Sequence, residues 1–246
     1  MNKIQILAQE LKDTFAPDLV TNVYSICNQL GIEIIEAPIK ADAYLECTNG
    51  NSYIYLKKSL NEYRKKFTIA HELGHFCIPW HSELMFGCDI KEMDFKNDYT
   101  PREKEANIFA AELLMPTEEF KNFFSGQVNY TMVSELANIF DVSFQAALNR
   151  CIDFASEDCI VICSENRYIK WFKATEDFPF YLNRKKVSEI SKADELFDLQ
   201  IFQTKKIIEP GYIWFSDADD KDIEEESTAF PTYNEVISII HLKDEL

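Results

Sequence analysis

The sequence predicts an α+β fold in two parts, a mainly helical part with a small β-sheet followed by a smaller α/β part. Apolar residues recur at helical spacing through the segments FTIAHELGH and EKEANIFAAELL. The tripeptide Asn49-Gly50-Asn51 separates two segments of alternating apolar residues, which is a strong signal for a β-hairpin. Near Asp158 the pattern changes to the short apolar runs that are typical of strands.

The same patterns divide the chain into three stretches. Residues 1–125 are expected to form the mainly helical domain with its small sheet. Residues 126–155 are expected to be helical, because apolar residues there keep the spacing of a helix. Residues 156–246 are expected to form a separate α/β domain, since CIVIC and YIKWF resemble strands and KKVSEISKADELF resembles a helix.

Caps and chain breakers set the expected bounds of single elements. Gly31 is expected to end the second helix, and Thr100 with Pro101 to begin a helix that stops before Pro116. A polar loop that includes Asp94 is expected just before Thr100. Helices are expected near residues 2–13, 17–30, 60–75, 101–115, 117–124, 131–139, 143–153 and 185–197. Strands are expected at 32–39, 41–48, 52–58, 159–163, 168–172, 211–215 and 235–242, and 217–227 (DADDKDIEEES) as a solvated acidic loop.

Composition limits the classes of function. The net charge of −17 would repel phosphate backbones, so direct binding to nucleic acid is disfavoured. The apolar runs are too short to span a membrane, and the amphipathic N-terminal segment does not resemble a signal peptide. Seven cysteines at scattered spacing do not suggest a secreted disulfide framework. We therefore expect a cytoplasmic protein without a membrane segment, whose oligomeric state the sequence leaves open.

The pentapeptide His71-Glu72-Leu73-Gly74-His75 predicts a metal site. On a helix, His71 and His75 lie on one face, about 40° apart at about 100° per residue, so both rings can bind one zinc ion. Glu72 could take a proton from the attacking water without binding the metal. The alternative is a surface helix with two chance histidines, but the apolar residues just upstream of His71 indicate a buried helix.

A catalytic zinc ion of this type needs a third protein ligand, and the downstream helix offers Glu103. On a helical wheel, Glu103 and Asn107 share the half that small and apolar residues flank, whereas Glu105 and Glu112 lie on the opposite half, which we expect to face water. Asn107 is expected to accept a hydrogen bond from a ligand histidine and so fix its tautomer. The alternative role for Glu103 is a first-turn carboxylate that stabilises the helix dipole.

These residues resemble the ImmA/IrrE family of metallopeptidases. The resemblance depends on two blocks, RKKFTIAHELGHF and EKEANIFAAELLMP. It implies a zincin-like domain of the gluzincin type, with His71, His75 and Glu103 as zinc ligands and Glu72 as the base. It also implies an endopeptidase that cleaves a partner protein, a DNA-binding transcriptional repressor, and so releases stress or mobile-element genes.

The resemblance carries less detail for the rest of the chain. In some members a helix-turn-helix-like region and a GAF-like sensor domain follow the peptidase helices, and VSELANIFDVSFQAALNRC and residues 156–246 could correspond to them. The other interpretation is that residues 126–155 complete the core of the peptidase, which the negative charge of the chain favours. A sensory role for residues 156–246 is therefore an expectation only.

Two other functions remain open: a zinc-containing sensory or binding protein with little turnover, and a component of a toxin–antitoxin or mobile-element system. An intact Glu72 argues against a pure binding protein. The group that would stabilise the oxyanion is unassigned. His81 is more often a loop or helix-end histidine than such a group, and Tyr99 and Tyr130 are unranked candidates.

Overall fold

The chain forms two compact units, and each unit combines two separate segments of the sequence. The first consists of Met1–Phe123 and Leu136–Ala146, and the second of Phe124–Glu135 and Ala147–Leu246. The structure, a computed structural model, describes residues 1–81, 100–182, 185–199, 201–218 and 220–243. Asp94 and Tyr99 lie outside the described residues.

The first unit begins with two capped helices. Helix α1 (Lys3–Phe15) has a capping box in which Asn2 and Gln5 satisfy each other's backbone N–H groups. Helix α2 (Val23–Gln29) begins later than predicted, because Asn22 is its N-cap and accepts a hydrogen bond from the backbone of Ser25. Gly31 follows with a φ of 70°, which agrees with its predicted place after the helix end.

A three-stranded sheet follows in strand order β1-β3-β2, formed by β1 (Ile32–Ala37), β2 (Ala43–Thr48) and β3 (Asn51–Lys57). The strands β2 and β3 form the predicted hairpin, and Asn49 and Gly50 both have positive φ at its turn. Strand β1 pairs with β3 in parallel. The buried side chains Ile54 and Leu56 of β3 turn one face of the sheet toward the core.

Two long helices carry the segments that predicted the metal site. Helix α3 (Glu62–Cys77) begins at the N-cap Asn61, and helix α4 (Pro101–Leu114) begins at the N-cap Thr100. The two helices pack closely at Gly74, where an added Cβ would lie 3.2 Å from the Cα of Ala106. The unit also contains α5 (Thr117–Phe123) and residues 136–146.

The second unit is built around a five-stranded sheet in the order β5-β4-β8-β7-β6. All neighbouring strands are antiparallel, so this part is α+β in character and not the α/β arrangement that was expected. Its strands are β4 (Cys159–Glu165), β5 (Tyr168–Ala174), β6 (Gln203–Pro210), β7 (Asp222–Phe230) and β8 (Glu235–Leu242). Helix α6 (Tyr130–Phe140) and helix α7 (Phe144–Asp153) each contribute residues to both units, and α8 (Lys192–Asp198) belongs to the second.

Three predictions for the second unit were wrong. Residues 222–227, which were expected in an acidic loop, form the start of the internal strand β7, where Glu225 is fully buried. Residues 211–215, expected as a strand, begin with a 3-10 turn at Gly211–Ile213. The predicted helix 185–197 is helical only from Lys192 onward, in the helix Lys192–Asp198. For Glu225, tertiary partners outweigh the local sequence pattern.

The carboxylate of Glu225 is buried because it has polar partners inside the unit. It accepts hydrogen bonds from the indole N–H of Trp214 at 2.6 Å and from the hydroxyl of Ser227 at 2.5 Å. Ser227 in turn lies 2.6 Å from the hydroxyl of Ser238 on β8. These bonds offset the cost of removing a carboxylate from water, so an acidic sequence can form an internal strand.

Among the described residues, no helix is both long enough and apolar enough to cross a membrane.

Candidate metal centre

Helices α3 and α4 bring the three predicted ligands together. His71 and His75 lie one turn apart on the same face of α3. Glu103 lies in the first turn of α4, where its backbone N–H is bonded to the hydroxyl of Thr100. The close contact of Gly74 with α4 lets the two helices approach, so that the carboxylate reaches both rings.

The donor atoms of these residues converge on a small volume. The Nε2 atom of His71 lies 3.0 Å from a carboxylate oxygen of Glu103 and 3.1 Å from the Nε2 atom of His75. The Nε2 atom of His75 lies 3.3 Å from the other oxygen of Glu103. Among the described residues, His71, His75 and Glu103 form the only group of three or more histidine, cysteine or acidic residues whose ligand atoms all lie within 4.8 Å of one another.

The chemistry and spacing of these donors fit zinc. Ligands about 2.0–2.1 Å from a tetrahedral zinc ion lie roughly 3.3 Å from one another, which is close to the observed separations. Two imidazoles and one carboxylate are also a donor set that catalytic zinc sites use, with a fourth position left for water or substrate. The geometry is therefore compatible with the zinc site that the sequence predicts.

Asn107 lies where the helical wheel placed it. Its side-chain oxygen is 3.0 Å from the Nδ1 atom of His71. An amide oxygen can only accept, so His71 must carry its proton on Nδ1 if this bond forms. The Nε2 lone pair of His71 is then free to face Glu103 and His75, the direction that metal binding requires.

Glu72 is next to the ligands and almost fully buried, with 8% of its surface exposed. Its carboxylate accepts a hydrogen bond from the backbone of Leu45 on β2. Burial raises the pKa of Glu72, and the nearby His71 and His75 reduce that rise. A carboxylate with a raised pKa is a stronger base, as proton transfer from water requires.

The ionisation of Glu103 and His71 is coupled by contact. Contact with the rings of His71 and His75 holds the pKa of Glu103 well below its ordinary value, so the carboxylate is ionised. Burial acts to lower the pKa of His71, but the hydrogen bond to Glu103 and the negative charges of Glu72 and Glu103 outweigh it, and the pKa is raised. The ionised carboxylate of Glu103 thus supplies a negative charge that suits a cation.

Two carboxylates of α4 differ from their expected exposure to water. Glu112 is fully buried, because it accepts hydrogen bonds from the backbone N–H and the hydroxyl of Thr117 at the start of α5. Glu105 is partly exposed and accepts hydrogen bonds from Trp80 and His81. The expectation that this half of the helix faces water was therefore wrong for Glu112, because a helical wheel does not show which segments cover each side.

His81 was expected to be a loop or helix-end histidine; it lies just after the end of α3 at Cys77 and is buried against His75, with 3% of its surface exposed. Its Nδ1 atom lies 3.1 Å from the Nδ1 atom of His75, and its Nε2 atom lies 2.9 Å from Glu105. Burial lowers the pKa of His81. The spacing from His75 gave no helical signal for this contact. Tyr130, another candidate, belongs to the second unit.

Comparison with known proteins identifies the family of the part of the chain that contains the centre. A family model described as Peptidase_M78, IrrE N-terminal-like domain, matches residues 27–151, which is half of the chain and includes the whole centre. The chain belongs to the ImmA/IrrE family. The family is described as a peptidase family. The match confirms the resemblance to this family that the two sequence blocks indicated.

Two similar proteins add context. An uncharacterised immunity region protein 2 of Bacillus phage phi105 is 30% identical over 108 residues, which cover 42% of this chain and 65% of the phage protein. The chain therefore spans less than two thirds of that relative. A Mycobacterium tuberculosis transcriptional regulator has a similar fold, with a TM-score of 0.64 over 98% of this chain and 76% of the regulator, at 12% identity.

Proposed function

We propose that this ImmA/IrrE family member is a zinc-dependent endopeptidase that hydrolyses a peptide bond in a specific protein partner. The observation that carries the proposal is the convergence of His71, His75 and Glu103 beside the buried carboxylate of Glu72. A site that only held a metal would have no need for a second carboxylate that does not bind the metal. The conjunction of ligands and base supports catalysis over simple metal binding.

In this proposal, the Nε2 atoms of His71 and His75 and the carboxylate of Glu103 hold zinc. Zinc in such a site supplies Lewis-acid chemistry, because it polarises a carbonyl group and makes water easier to deprotonate. Asn107 keeps His71 in the tautomer that binds through Nε2. Glu103 is fixed at the start of α4 by the cap at Thr100, so its position depends on that helix end.

Glu72 performs the proton transfers. It takes a proton from the attacking water and later passes a proton to the amine that leaves. Its burial supports this role, because a desolvated carboxylate has a raised pKa. The hydrogen bond from Leu45 fixes the carboxylate relative to strand β2.

The same hydrogen bond suggests how a substrate is presented. Strand β2 is at the end of the strand order β1-β3-β2, so within the described part of the chain it is an edge strand. An extended peptide can pair with an edge strand through backbone hydrogen bonds. We propose that the substrate lies along β2, where Leu45 joins the strand to Glu72.

We further propose that the partner is a DNA-binding transcriptional repressor, as the family resemblance implies. A relative that is named an immunity region protein of a phage supports a role connected with a mobile element. The net charge of −17 is suited to a basic partner and would disfavour direct binding of this chain to nucleic acid. We place the action of the enzyme in the cytoplasm, where a repressor works.

The second unit is proposed to adjust this activity without supplying zinc ligands. All three donor residues belong to the first unit. A chain truncated at about residue 155 is therefore expected to keep its zinc while its rate of cleavage changes. Loss of zinc from a soluble truncated protein would contradict this division. A GAF-like sensor in this unit stays a prediction.

The decisive experiment is to incubate the purified zinc form with the repressors encoded near its own gene. A single cleavage in one of them, inhibited by a chelator and restored by stoichiometric zinc, is the expected result. Glu72→Gln is the matched control, since it removes the base and leaves the ligands. Tight binding of the repressor without cleavage by either form would favour the binding-protein alternative.

A further inference from the structure

We infer that His81 and Glu105 form a hydrogen-bonded chain that holds His75 in the tautomer able to bind metal through Nε2. This inference rests on the proposed function. It concerns residues that are not ligands and that would not touch the substrate. They act as positioning residues through their contacts with one another and with His75.

The positions of the ring protons on His81 and His75 follow from the carboxylate of Glu105, at the end of the hydrogen-bonded chain. A carboxylate can only accept hydrogen bonds, so the Nε2–H group of His81 must donate to Glu105, across 2.9 Å. A neutral imidazole with its proton on Nε2 has an unprotonated Nδ1, which is an acceptor. His75, whose Nδ1 lies 3.1 Å away, must then be the donor. With its proton on Nδ1, His75 has a free lone pair on Nε2.

The other two protonation states of His81 are each unfavourable. If His81 carried its only proton on Nδ1, its Nε2 lone pair would face the carboxylate of Glu105, which is repulsive. If His81 carried both protons, the Nδ1 atom of His75 would have to accept, and His75 would be protonated on Nε2. The Nε2 atom that faces Glu103 would then be a donor and could not bind a metal ion.

The hydrogen-bonded chain is buried at His81 and held in place at Glu105. His81 has only 3% of its surface exposed, so water does not replace its Nδ1 atom as the hydrogen-bond partner of His75. Trp80 donates its indole N–H to the same oxygen of Glu105 that His81 contacts, at 2.7 Å. This second bond fixes the carboxylate, which is on the solvent side of the chain.

The two ligand histidines are therefore oriented by different means. His71 is held by one neutral amide, Asn107, at 3.0 Å. His75 is held by a second histidine that is itself held by a carboxylate. A partner that accepts from a ligand imidazole increases its basicity and fixes its ring, and loss of such a partner typically weakens metal binding about 10–100-fold.

The test measures zinc affinity by competition with a chelating dye, for His81→Leu, His81→Asn and Glu105→Ala. Leucine has a similar size but cannot accept, whereas asparagine keeps an acceptor at the position of Nδ1. We expect His81→Leu and Glu105→Ala to weaken zinc binding about 10–100-fold, and His81→Asn to recover part of the loss. The control Glu118→Ala removes an exposed carboxylate from α5 and should leave the affinity unchanged.

A second measurement needs no variant and would survive a failure of His81→Leu to fold. The chain has four histidines, so an imidazole ¹⁵N NMR spectrum of the zinc-loaded protein can be assigned residue by residue. We expect His81 to be neutral with its proton on Nε2. A proton on Nδ1 of His81, or two ring protons, would overturn the inference.

The design separates this inference from the proposed metal site. If His71→Ala leaves zinc binding unchanged, the proposed site itself is wrong. If His71→Ala abolishes zinc binding while His81→Leu and Glu105→Ala bind zinc as tightly as the unmodified protein, only the positioning chain is wrong.

Discussion

Gly74 lies against Ala106 so closely that a Cβ atom at position 74 would be 3.2 Å from the Ala106 Cα and 3.3 Å from its carbonyl oxygen. Both of these neighbours are backbone atoms, so they can move only if helix α4 moves. The contact therefore sets the distance between the helix that carries the two histidines and the helix that carries Glu103.

The substitution Gly74→Ala tests this contact. Alanine gains about 1 kcal/mol of helix propensity, but overpacking costs typically about 1–3 kcal/mol, so we expect a net loss of stability of about 1 kcal/mol. Displacement of α4 should also weaken zinc binding. Thermal unfolding with and without a chelator separates the two effects. An alanine variant with higher stability and unchanged zinc affinity would show that the helices are free to separate.

Glu72→Gln should separate metal binding from chemistry. The substitution removes the base but keeps the side-chain volume, so zinc content and binding of the repressor should stay as they are. Cleavage should slow at least about a hundredfold, since general acid–base groups contribute about 10²–10⁴-fold. Elemental analysis and single-turnover cleavage are the measurements. Cleavage at the unmodified rate would remove Glu72 from the mechanism.

Glu103→Ala should remove the third ligand and with it most of the bound zinc. The protein purified without added metal should contain about one zinc ion per chain, and this variant clearly less. The zinc content of Glu105→Ala should lie between that of the unmodified protein and that of Glu103→Ala, because Glu105 acts only through His81. If Glu105→Ala lost zinc completely while Glu103→Ala kept it, the assignment of the ligand would have to be exchanged.

Removal of zinc should lower the unfolding temperature. A ligand that binds only the folded state stabilises it, by about 2.7 kcal/mol when its concentration is a hundred times its Kd. A chelator should therefore shift the thermal transition of the unmodified protein downward. The double variant His71→Ala/His75→Ala is the control, since its transition should not respond to the chelator. An equal shift in both proteins would place the stabilising metal elsewhere.

The buried pair of Glu209 and Glu225 should make stability depend on pH. Burial, together with the hydrogen bond to Glu225, raises the pKa of Glu209 to about 9. Because the pKa is higher in the folded than in the unfolded state, this group stabilises the fold fully below about pH 4.5 and loses that contribution as pH rises toward 9. The expected slope is at most about 1.4 kcal/mol per pH unit.

Glu209→Gln should flatten this dependence. Glutamine stays neutral, so the variant should gain stability relative to the unmodified protein as pH rises from 5 to 9. Chemical denaturation at several pH values measures the difference, and groups that titrate in both proteins cancel. A constant difference across this range would mean that Glu209 titrates normally.

The centre could be predicted from sequence because its geometry is local. The spacing of His71 and His75 along one helix, and the phase of Glu103 and Asn107 along another, follow from about 100° of rotation per residue. The contact between His81 and His75 does not follow from helical geometry, because α3 ends at Cys77 and the chain then brings the His81 ring to the Nδ1 atom of His75. Only the fold shows this contact.

The second unit shows the opposite limit. Strand β6 (QTKKIIEP) was missed and β7 was predicted as a loop, because their polar residues suggest exposure to water. Burial of Glu225 depends on Trp214, Ser227 and Ser238, and Ser238 lies on another strand. A charge pattern cannot show such partners, so the internal strand of the sheet remained hidden in the sequence.

The way the chain alternates between its two units has a consequence for synthesis. The chain passes from the first unit to the second at residue 124, returns at 136 and leaves again at 147. The first unit therefore lacks part of its own structure until residue 146 has emerged from the ribosome. We expect nascent chains shorter than this to stay protease-sensitive, so that metal can be captured only late in translation.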